Sequence, residues 1–203
     1  DAVMLRLSSH EDIFEFSRHS SKPVINALSD ESHPCQILAD LMTYQEQKGT
    51  IQGKKIAWIG DGCNVCQTYM QAAEIFDFEL SIATPTDYGP SEVFVQKYKK
   101  NINFSESPMD ACKDADIVVT DVWTSMGQES EKKQRERSFQ GFQVNQLMMN
   151  QAKDDAVFMH CLPAYRGKEV SAEVIDGSQS VVWSEAENRL HAQKSLLLYL
   201  IEG

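Results

Sequence analysis

Short apolar runs alternate with segments of helical periodicity along most of this 203-residue chain. This alternation constrains the fold more than any other feature. We predict strands at 55–59, 80–83, 103–105, 117–120 and from 156, and helices at 64–76, 91–100, 108–113 and 138–152. Repeated strand–helix alternation at this spacing is typical of a parallel sheet with helices on both faces. The sequence therefore predicts an α/β fold with a doubly wound parallel sheet.

The ends of the chain add further predicted elements. Strands are expected at 2–7 and 23–27, helices at 11–19 and 33–48, a further strand at 181–183 and a final helix at 185–200. The charged run QESEKKQRER at 128–137 predicts a solvated face or a mobile loop, because both signs of charge are mixed and no apolar stripe is present.

Composition excludes several classes of protein. A net charge of −11 argues against binding to nucleic acid and to anionic membranes. No apolar run reaches the roughly 20 residues of a membrane span, and the polar first residues do not resemble a signal peptide. Five cysteines without a disulfide-framework spacing predict a reducing, cytoplasmic setting. The chain opens at Asp1 inside a predicted strand, so we expect it to be part of a longer protein.

Polar side chains stand at the carboxyl ends of several predicted strands. Asn64, Asp121 and Cys161 follow three of them, and Arg6 lies near the end of the first strand. In open α/β sheets ligands bind beyond these ends, in one crevice. An arginine there can bind a phosphate or carboxylate with two hydrogen bonds. The alternatives are a buried packing cysteine and surface charges, but the convergence of three strand ends favours a site for a small ligand that carries an ammonium group.

The segment Ser32-His33-Pro34-Cys35-Gln36 has the signals of a helix start. His33 and Gln36 are three residues apart and face the same side of the first turn. Free backbone N–H groups there favour an anion or a polarised carbonyl. The alternative is a histidine that caps the helix without any ligand.

The sequence GDGCN at 60–64 follows a strand and opens a helix, as a dinucleotide-binding loop does. The fingerprint G-x-G-x-x-G needs a third glycine where this chain has Val65, and Asp61 would repel phosphates. A nicotinamide cofactor is therefore disfavoured. Cys63 and Cys66 have the spacing of a redox pair without its usual flanking residues, so we interpret the spacing as coincidental.

Six motifs together resemble the ornithine carbamoyltransferases. They are PVINALSD at 23–30, HPCQ at 33–36, GDGCN at 60–64, DVWTSMG at 121–127, HCLPAYRG at 160–167 and EAENRLHAQK at 185–194. They follow the family's order across the whole chain. SMG with HCLP favours ornithine over the aspartate or putrescine members. One departure is Cys63, at the first Asn position of the usual GDGNN, although the ligand-binding Asn matches Asn64.

The resemblance implies a role for each matched residue. Carbamoyl phosphate would be bound by Arg6, His33, Gln36, Cys161, Leu162 and Arg189, and ornithine by Asn64, Asp121, Ser125 and Met126. The residues implied in catalysis are His33, Arg6, Cys161 and Asp121. The δ-amine of ornithine would attack the carbamoyl carbon, giving citrulline and phosphate, with no metal, cofactor or covalent acyl-cysteine. Such enzymes serve arginine biosynthesis or breakdown, and the sequence leaves that direction open.

The resemblance also implies how the chain is divided. Residues 1–32 would be the end of a carbamoyl-phosphate domain, 33–48 a linking helix, 49–184 the ornithine domain and 185–203 a helix that packs back on the first domain. The family's Ser-Thr-Arg-Thr phosphate loop and most of its trimer contacts have no match here. We therefore expect the 203 residues alone to be inactive and a full-length protein to be a homotrimer or higher oligomer. The alternatives are a carbamoyltransferase for another amine and a non-catalytic amino-acid-binding paralogue.

Overall fold

The computed structural model describes residues 1–125 and 127–202. Its strands are β1 (Val3–Arg6), β2 (Val24–Leu28), β3 (Lys55–Ile59), β4 (Glu79–Ala83), β5 (Ile102–Phe104), β6 (Ile117–Thr120) and β7 (Val157–His160). Its α-helices are α1 (His10–His19), α2 (Pro34–Lys48), α3 (Asn64–Phe76), α4 (Glu92–Lys97), α5 (Pro108–Cys112), α6 (Lys132–Ser138), α7 (Gln146–Met149), α8 (Ala172–Ile175) and α9 (Val182–Glu202), and Glu129–Glu131 form a 3₁₀ turn.

Five of the strands form one parallel sheet in the order β5-β4-β3-β6-β7. The order reverses between β3 and β6, and at such a switch point the connections leave in opposite directions and open a crevice. Strand β3 shows why the central strands are continuously apolar. Ile56 and Trp58 pack with α2 and α3 on one face, whereas Ala57 and Ile59 pack with α5, α7 and α8 on the other. The predicted doubly wound parallel sheet is confirmed.

Strands β1 and β2 form a separate two-stranded parallel sheet. Helix α2 follows it and packs against α3 through Ile37, Leu41 and Tyr44, which belong to the core of the large sheet. The long helix α9 lies against α2 and β7. Asn188 of α9 donates to Thr43 Oγ1 at 2.9 Å and to Glu46 Oε2 at 2.7 Å, both on α2. Helix α2 therefore joins the small sheet to the large one, and α9 braces α2 against β7.

Three predictions of local structure are wrong in whole or in part. The helix expected at 138–152 is reduced to Gln146–Met149, because Phe139 and Val144 turn into the core and interrupt it. The charged run 128–137 is mostly helical and so is not a loop; residues 130–134 and 137 are exposed, as expected for a solvated face, but Arg135 is buried. The strand expected at 181–183 is absent from the described residues: α9 begins at Val182, although Ser180 makes an isolated bridge to Phe158.

Among the helices within 1–125 and 127–202, none has the length and apolarity needed to cross a membrane.

Candidate active site

Asp121 and Cys161 follow neighbouring strands of the large sheet. The register pairs Thr120 of β6 with His160 of β7, so the next residue of each strand projects at the same edge. The Cys161 thiol donates to Asp121 Oδ1 with an Sγ–O distance of 3.1 Å. The structure thus brings together two residues that the sequence placed in one crevice.

Cys63 lies on the other side of the same carboxylate. Its Sγ is 3.6 Å from Asp121 Oδ2, while the backbone N–H of Val122 donates to Oδ1 at 2.7 Å. Burial, and then the Asp121 charge, raise the pKa of both the Cys63 and Cys161 thiols well above the usual value. Both sulfurs are therefore protonated near neutral pH and act as weak donors to Asp121.

Asn64 and Ser125, which are also predicted to bind ornithine, follow Cys63 and Asp121 closely in the sequence. Their hydrogen bonds go to residues other than Asp121. Asn64 opens α3, and its Nδ2 donates to the Ser29 carbonyl at 2.6 Å, across to the small sheet. Ser125 is half-buried, and its backbone N–H donates to Gln128 Oε1 at 3.0 Å. Met126 lies outside the described residues.

The backbone turn before α3 requires a glycine at position 62. A Cβ added to Gly62 would lie 2.1 Å from the Pro90 nitrogen. The second glycine of GDGCN therefore allows the loop before α4 to pack closely against the backbone. This packing explains the glycine without a bound pyrophosphate.

His33 caps the amino end of α2, where its side chain is almost wholly buried. Its backbone N–H donates to Thr68 Oγ1 at 2.8 Å, and its Nδ1 is buried without a hydrogen-bond partner. Burial, followed by the charges of Arg189 and Arg6, lowers the pKa of His33 to about 4. At neutral pH the ring is uncharged, so it can offer one N–H donor and one acceptor.

Gln36 and Arg189 meet beside His33. Arg189 of α9 donates through Nη1 to Gln36 Oε1 at 2.5 Å, while its Nε is buried and unpartnered. Arg6 stands exposed at the end of β1, and its side chain has no hydrogen-bond or ion-pair partner in the described part of the chain. Four of the six residues predicted to bind carbamoyl phosphate, Arg6, His33, Gln36 and Arg189, therefore lie in one region, whereas Cys161 and Leu162 follow β7.

His160 supports the turn that follows β7. The backbone N–H of Leu162 donates to His160 Nδ1 at 2.9 Å, and Nε2 lies 3.4 Å from Glu169 Oε1. Ligand atoms of Asp121, His160 and Cys161 lie within 4.8 Å of one another, a spacing that a cation could bridge. Because Nδ1 already accepts a hydrogen bond and Nε2 faces a carboxylate, the imidazole is committed to the turn and is a poor candidate ligand.

Two buried carboxyl groups connect the two halves of the site, and sequence reasoning missed both. Glu185 accepts from the His160 backbone N–H and from Gln36 Nε2, each at 2.9 Å, and Asp40 accepts from Gln36 Nε2 at 2.8 Å. In the sequence, Asp40 is an acidic residue within an otherwise apolar helical segment. This pattern could have identified it as a buried polar residue. Through Glu185, the residues around Gln36 are joined to the segment that carries Cys161.

A buried arginine, also missed, holds the segment after Asp121. Arg135 of α6 forms an ion pair with Asp61 at 2.5 Å, donates to the Trp123 carbonyl and stacks on Tyr88 and Phe139. Burial raises the pKa of Asp61 to about 6, and the charge of Arg135 opposes that rise. Its contacts fasten Trp123 and helix α6 to the loop after β3.

Comparison with known proteins identifies the family to which this arrangement belongs. Residues 52–200 match the aspartate/ornithine-binding domain of the aspartate/ornithine carbamoyltransferases, and residues 1–46 match their carbamoyl-phosphate-binding domain. The chain belongs to this family. Ornithine carbamoyltransferase from Ruthia magnifica is 61% identical over 201 residues, which are 99% of this chain and 67% of that protein. The enzyme of the same name from Nitrosococcus oceani is 58% identical over 203 residues, which are 100% of this chain and 67% of that protein.

Solved carbamoyltransferase structures have the same fold. Ornithine carbamoyltransferase from Pyrococcus furiosus is 47% identical and superposes with a TM-score of 0.95 over 100% of this chain and 67% of that one. The chain thus spans about two thirds of the length of the carbamoyltransferases that it matches. The family resemblance read from the motifs is confirmed.

Proposed function

We propose that this chain forms the larger part of an ornithine carbamoyltransferase, which transfers the carbamoyl group of carbamoyl phosphate to the δ-amine of L-ornithine. The products are L-citrulline and phosphate. The observation that carries the proposal is the link through Glu185, which contacts both Gln36 and the backbone of His160. It joins a region suited to an anion to a region suited to an amine.

The anion region combines Arg6, His33 and Arg189. His33 is neutral near pH 7 because of burial and of the two arginine charges, so its one ring N–H can donate a hydrogen bond while the ring carries no charge. A donor aimed at the carbamoyl oxygen stabilises the negative charge that develops there, an effect often among the largest in catalysis. The arginines supply the positive charge for the phosphate.

The amine region combines Asp121, Cys161, Asn64 and Ser125. The carboxylate of Asp121 can orient the amine and accept hydrogen bonds from it, and Cys161 holds that carboxylate by its thiol. Because the pKa of Cys161 is raised, a thiolate is disfavoured, which supports direct attack by ornithine over a covalent acyl-cysteine. We propose Met126 and Leu162 as further substrate contacts, from the motif match alone.

We further propose that residues 1–32 and 185–203 serve the carbamoyl-phosphate side, that 33–48 link the two sides and that 49–184 form the ornithine domain. We also propose that the full-length protein is a homotrimer or higher homo-oligomer with a cytoplasmic location. The five cysteines are all free thiols, which supports a reducing compartment.

The proposal is tested by measuring citrulline and phosphate formed from carbamoyl phosphate and ornithine. The assay uses this chain extended by the remaining third of a relative, and His33→Ala in the same background is the control for site-dependent turnover. Equal amounts of both products are expected. Faster product formation with putrescine, aspartate or N-acetylornithine would favour a carbamoyltransferase for another amine, and ornithine binding without turnover would favour a non-catalytic paralogue.

A further inference from the structure

Two buried carboxyl groups lie beneath Gln36, and neither is among the residues proposed to touch substrate. Asp40 of α2 is 2% exposed and Glu185 of α9 is 1% exposed. Gln36 Nε2 donates to Asp40 Oδ1 at 2.8 Å and to Glu185 Oε1 at 2.9 Å. Both N–H groups of the Gln36 amide are therefore used by these two side chains.

The carboxyl groups are themselves held in place. Asp40 Oδ2 accepts from the Tyr69 hydroxyl at 2.7 Å, and Glu185 Oε2 accepts from the His160 backbone N–H at 2.9 Å. Neither group can rotate without losing a buried hydrogen bond, which costs more than an exposed one. The orientation of the Gln36 amide is consequently fixed from α2, α3, α9 and β7 at once.

This orientation decides what Gln36 can recognise. With its N–H groups committed, the amide presents only its oxygen, which lies 2.5 Å from Arg189 Nη1. An amide oxygen accepts two hydrogen bonds, so one place remains open. The NH₂ group of carbamoyl phosphate donates two hydrogen bonds, whereas inorganic phosphate near neutral pH keeps one or two O–H groups and its other oxygens only accept. The Gln36 oxygen therefore suits the carbamoyl end of carbamoyl phosphate, and it can accept from inorganic phosphate only through a remaining O–H.

The charges near Gln36 are consistent with this arrangement. Burial raises the pKa of Asp40 to about 6, and burial followed by the charge of Asp40 raises that of Glu185 well above its usual value. One proton held by the pair leaves a single negative charge opposite Arg189. The other titratable groups facing the pair, Tyr69 and Cys161, have raised pKa values and are neutral. The positive charge of Arg189 therefore offsets the single negative charge of the pair.

We propose that Asp40 and Glu185 are positioning residues: they hold the Gln36 amide with its oxygen toward the anion region, and so let the site distinguish carbamoyl phosphate from inorganic phosphate. This inference rests on the proposed function and extends it to two side chains that act through Gln36.

The first test measures the Gln36 amide directly. Its side-chain NH₂ signals, assigned by their loss in Gln36→Leu, are followed by NMR hydrogen exchange on the 203-residue chain. In Glu185→Gln one acceptor oxygen must serve both Gln36 and His160, so exchange of the Gln36 NH₂ should accelerate at least tenfold. Glu187→Gln, an exposed carboxyl on the same helix, is the matched control and should change nothing. Unchanged exchange in Glu185→Gln overturns the proposal.

Substitutions of Asp40 separate positioning from packing. In Asp40→Asn the Tyr69 hydroxyl can turn to accept, which leaves the amide oxygen for Gln36, so slow exchange should be retained. Asp40→Ala removes the acceptor and should accelerate exchange as Glu185→Gln does. Equal acceleration in both Asp40 variants would contradict the assigned contact, and the Asn variant keeps the comparison usable where the Ala variant unfolds.

The second test measures selectivity by NMR titration, which reads millimolar affinities. Glu185→Gln should weaken carbamoyl phosphate binding about tenfold, as expected for loss of one buried hydrogen bond, and change inorganic phosphate binding less than twofold. Equal weakening of both ligands would mean a purely structural role and overturns the selectivity claim. This titration uses the chain extended by the remaining third of a relative, because the 203 residues alone are expected to bind carbamoyl phosphate weakly. A wild-type extended chain that binds neither ligand counts against the proposed function, while the exchange test still decides how Gln36 is held.

Discussion

At the scale of single residues, burial keeps the two most reactive side chains of the site uncharged. The pKa of His33 is lowered and that of Cys161 is raised, in each case mainly because the charged form loses water. The fixed charges are then left to Arg6, Arg189 and Asp121. The site thus places neutral donors between a positive end and a negative end, which suits a reaction between an anionic carbamoyl donor and an amine.

We predict that Cys161 orients Asp121 and the amine without becoming a nucleophile. Cys161→Ser keeps a donor to Asp121, so in an active full-length enzyme the KM for ornithine should rise by about three- to tenfold while turnover remains measurable. Steady-state citrulline assays check this. Isolation of a carbamoyl thioester on Cys161 during turnover would contradict it.

A second residue-scale prediction concerns the pH dependence of stability. His33 takes up a proton below about pH 6.5 when unfolded and below about 4 when folded, so the unfolded state binds more protons between these values. As the pH falls from 6.5 to 4, this residue should remove up to roughly 3 kcal/mol of stability. Asp40, with its pKa raised to about 6, acts in the opposite direction.

Subtracting the unfolding free energies of His33→Gln from those of the wild type isolates the histidine. Urea unfolding at several pH values between 4 and 7 provides the data, and the difference should shrink as the pH falls. A difference that stays constant across this range would show that His33 titrates alike in both states.

At the scale of elements, the short helix α6 has a mixed-charge sequence, yet Arg135 fastens it to the protein. Residues 132–134 and 137 of the helix are exposed. Arg135 instead points inward, stacks on the rings of Tyr88 and Phe139, and binds Asp61 and the Trp123 carbonyl. The helix is thus tied to Trp123, two residues before Ser125, and we infer that it holds one wall of the proposed amine region.

We predict that this anchor can be measured by a double-mutant cycle. Arg135→Met leaves Asp61 buried without its partner and should lower the free energy of unfolding by about 3–5 kcal/mol at pH 7. Adding Asp61→Asn should recover part of that loss, because no unpaired charge then remains. The exposed Arg137→Met on the same helix should cost less than about 0.5 kcal/mol. Additive effects of the two substitutions, measured by urea unfolding, would speak against the pair.

At the scale of the whole molecule, the two regions of the site are built on different parts of the fold. The amine region stands on the five-stranded sheet, which has a complete core on both faces. The anion region draws Arg6 from a two-stranded sheet, His33 and Gln36 from α2, and Arg189 from α9. Its geometry therefore depends on how well the small sheet and the two helices are held.

We predict that the 203 residues alone form citrulline at close to background rate. The Ser-Thr-Arg-Thr loop implied by the family has no match in this sequence, and each missing charge-assisted hydrogen bond is worth about 1.5–3 kcal/mol. Losing two would weaken carbamoyl phosphate binding by roughly two to four orders of magnitude. Comparing this chain with one extended to the length of a relative checks the prediction, and robust turnover by the shorter chain would overturn it.

Much of the fold follows from local sequence, because a buried parallel strand needs a continuous apolar run and a helix needs a repeating face. The strands at 55–59 and 117–120 and the helix at 64–76 were predicted with their observed bounds. The prediction failed at 128–152, where one buried arginine and scattered aromatic residues decide the path. There the determining contacts come from residues distant in sequence, such as Asp61 and Tyr88.

The sequence by itself determined the fold class, the family and the strand-end residues Asp121 and Cys161, because each depends on short-range patterns or on motifs read in order. Only the tertiary structure decided the protonation of His33, the ion pair of Arg135 and the hydrogen bonds from Gln36 to Asp40 and Glu185. These depend on burial and on side chains that approach within about 3 Å from separate elements. Desolvation and hydrogen-bond geometry arise only when those elements pack together, so no local pattern encodes them.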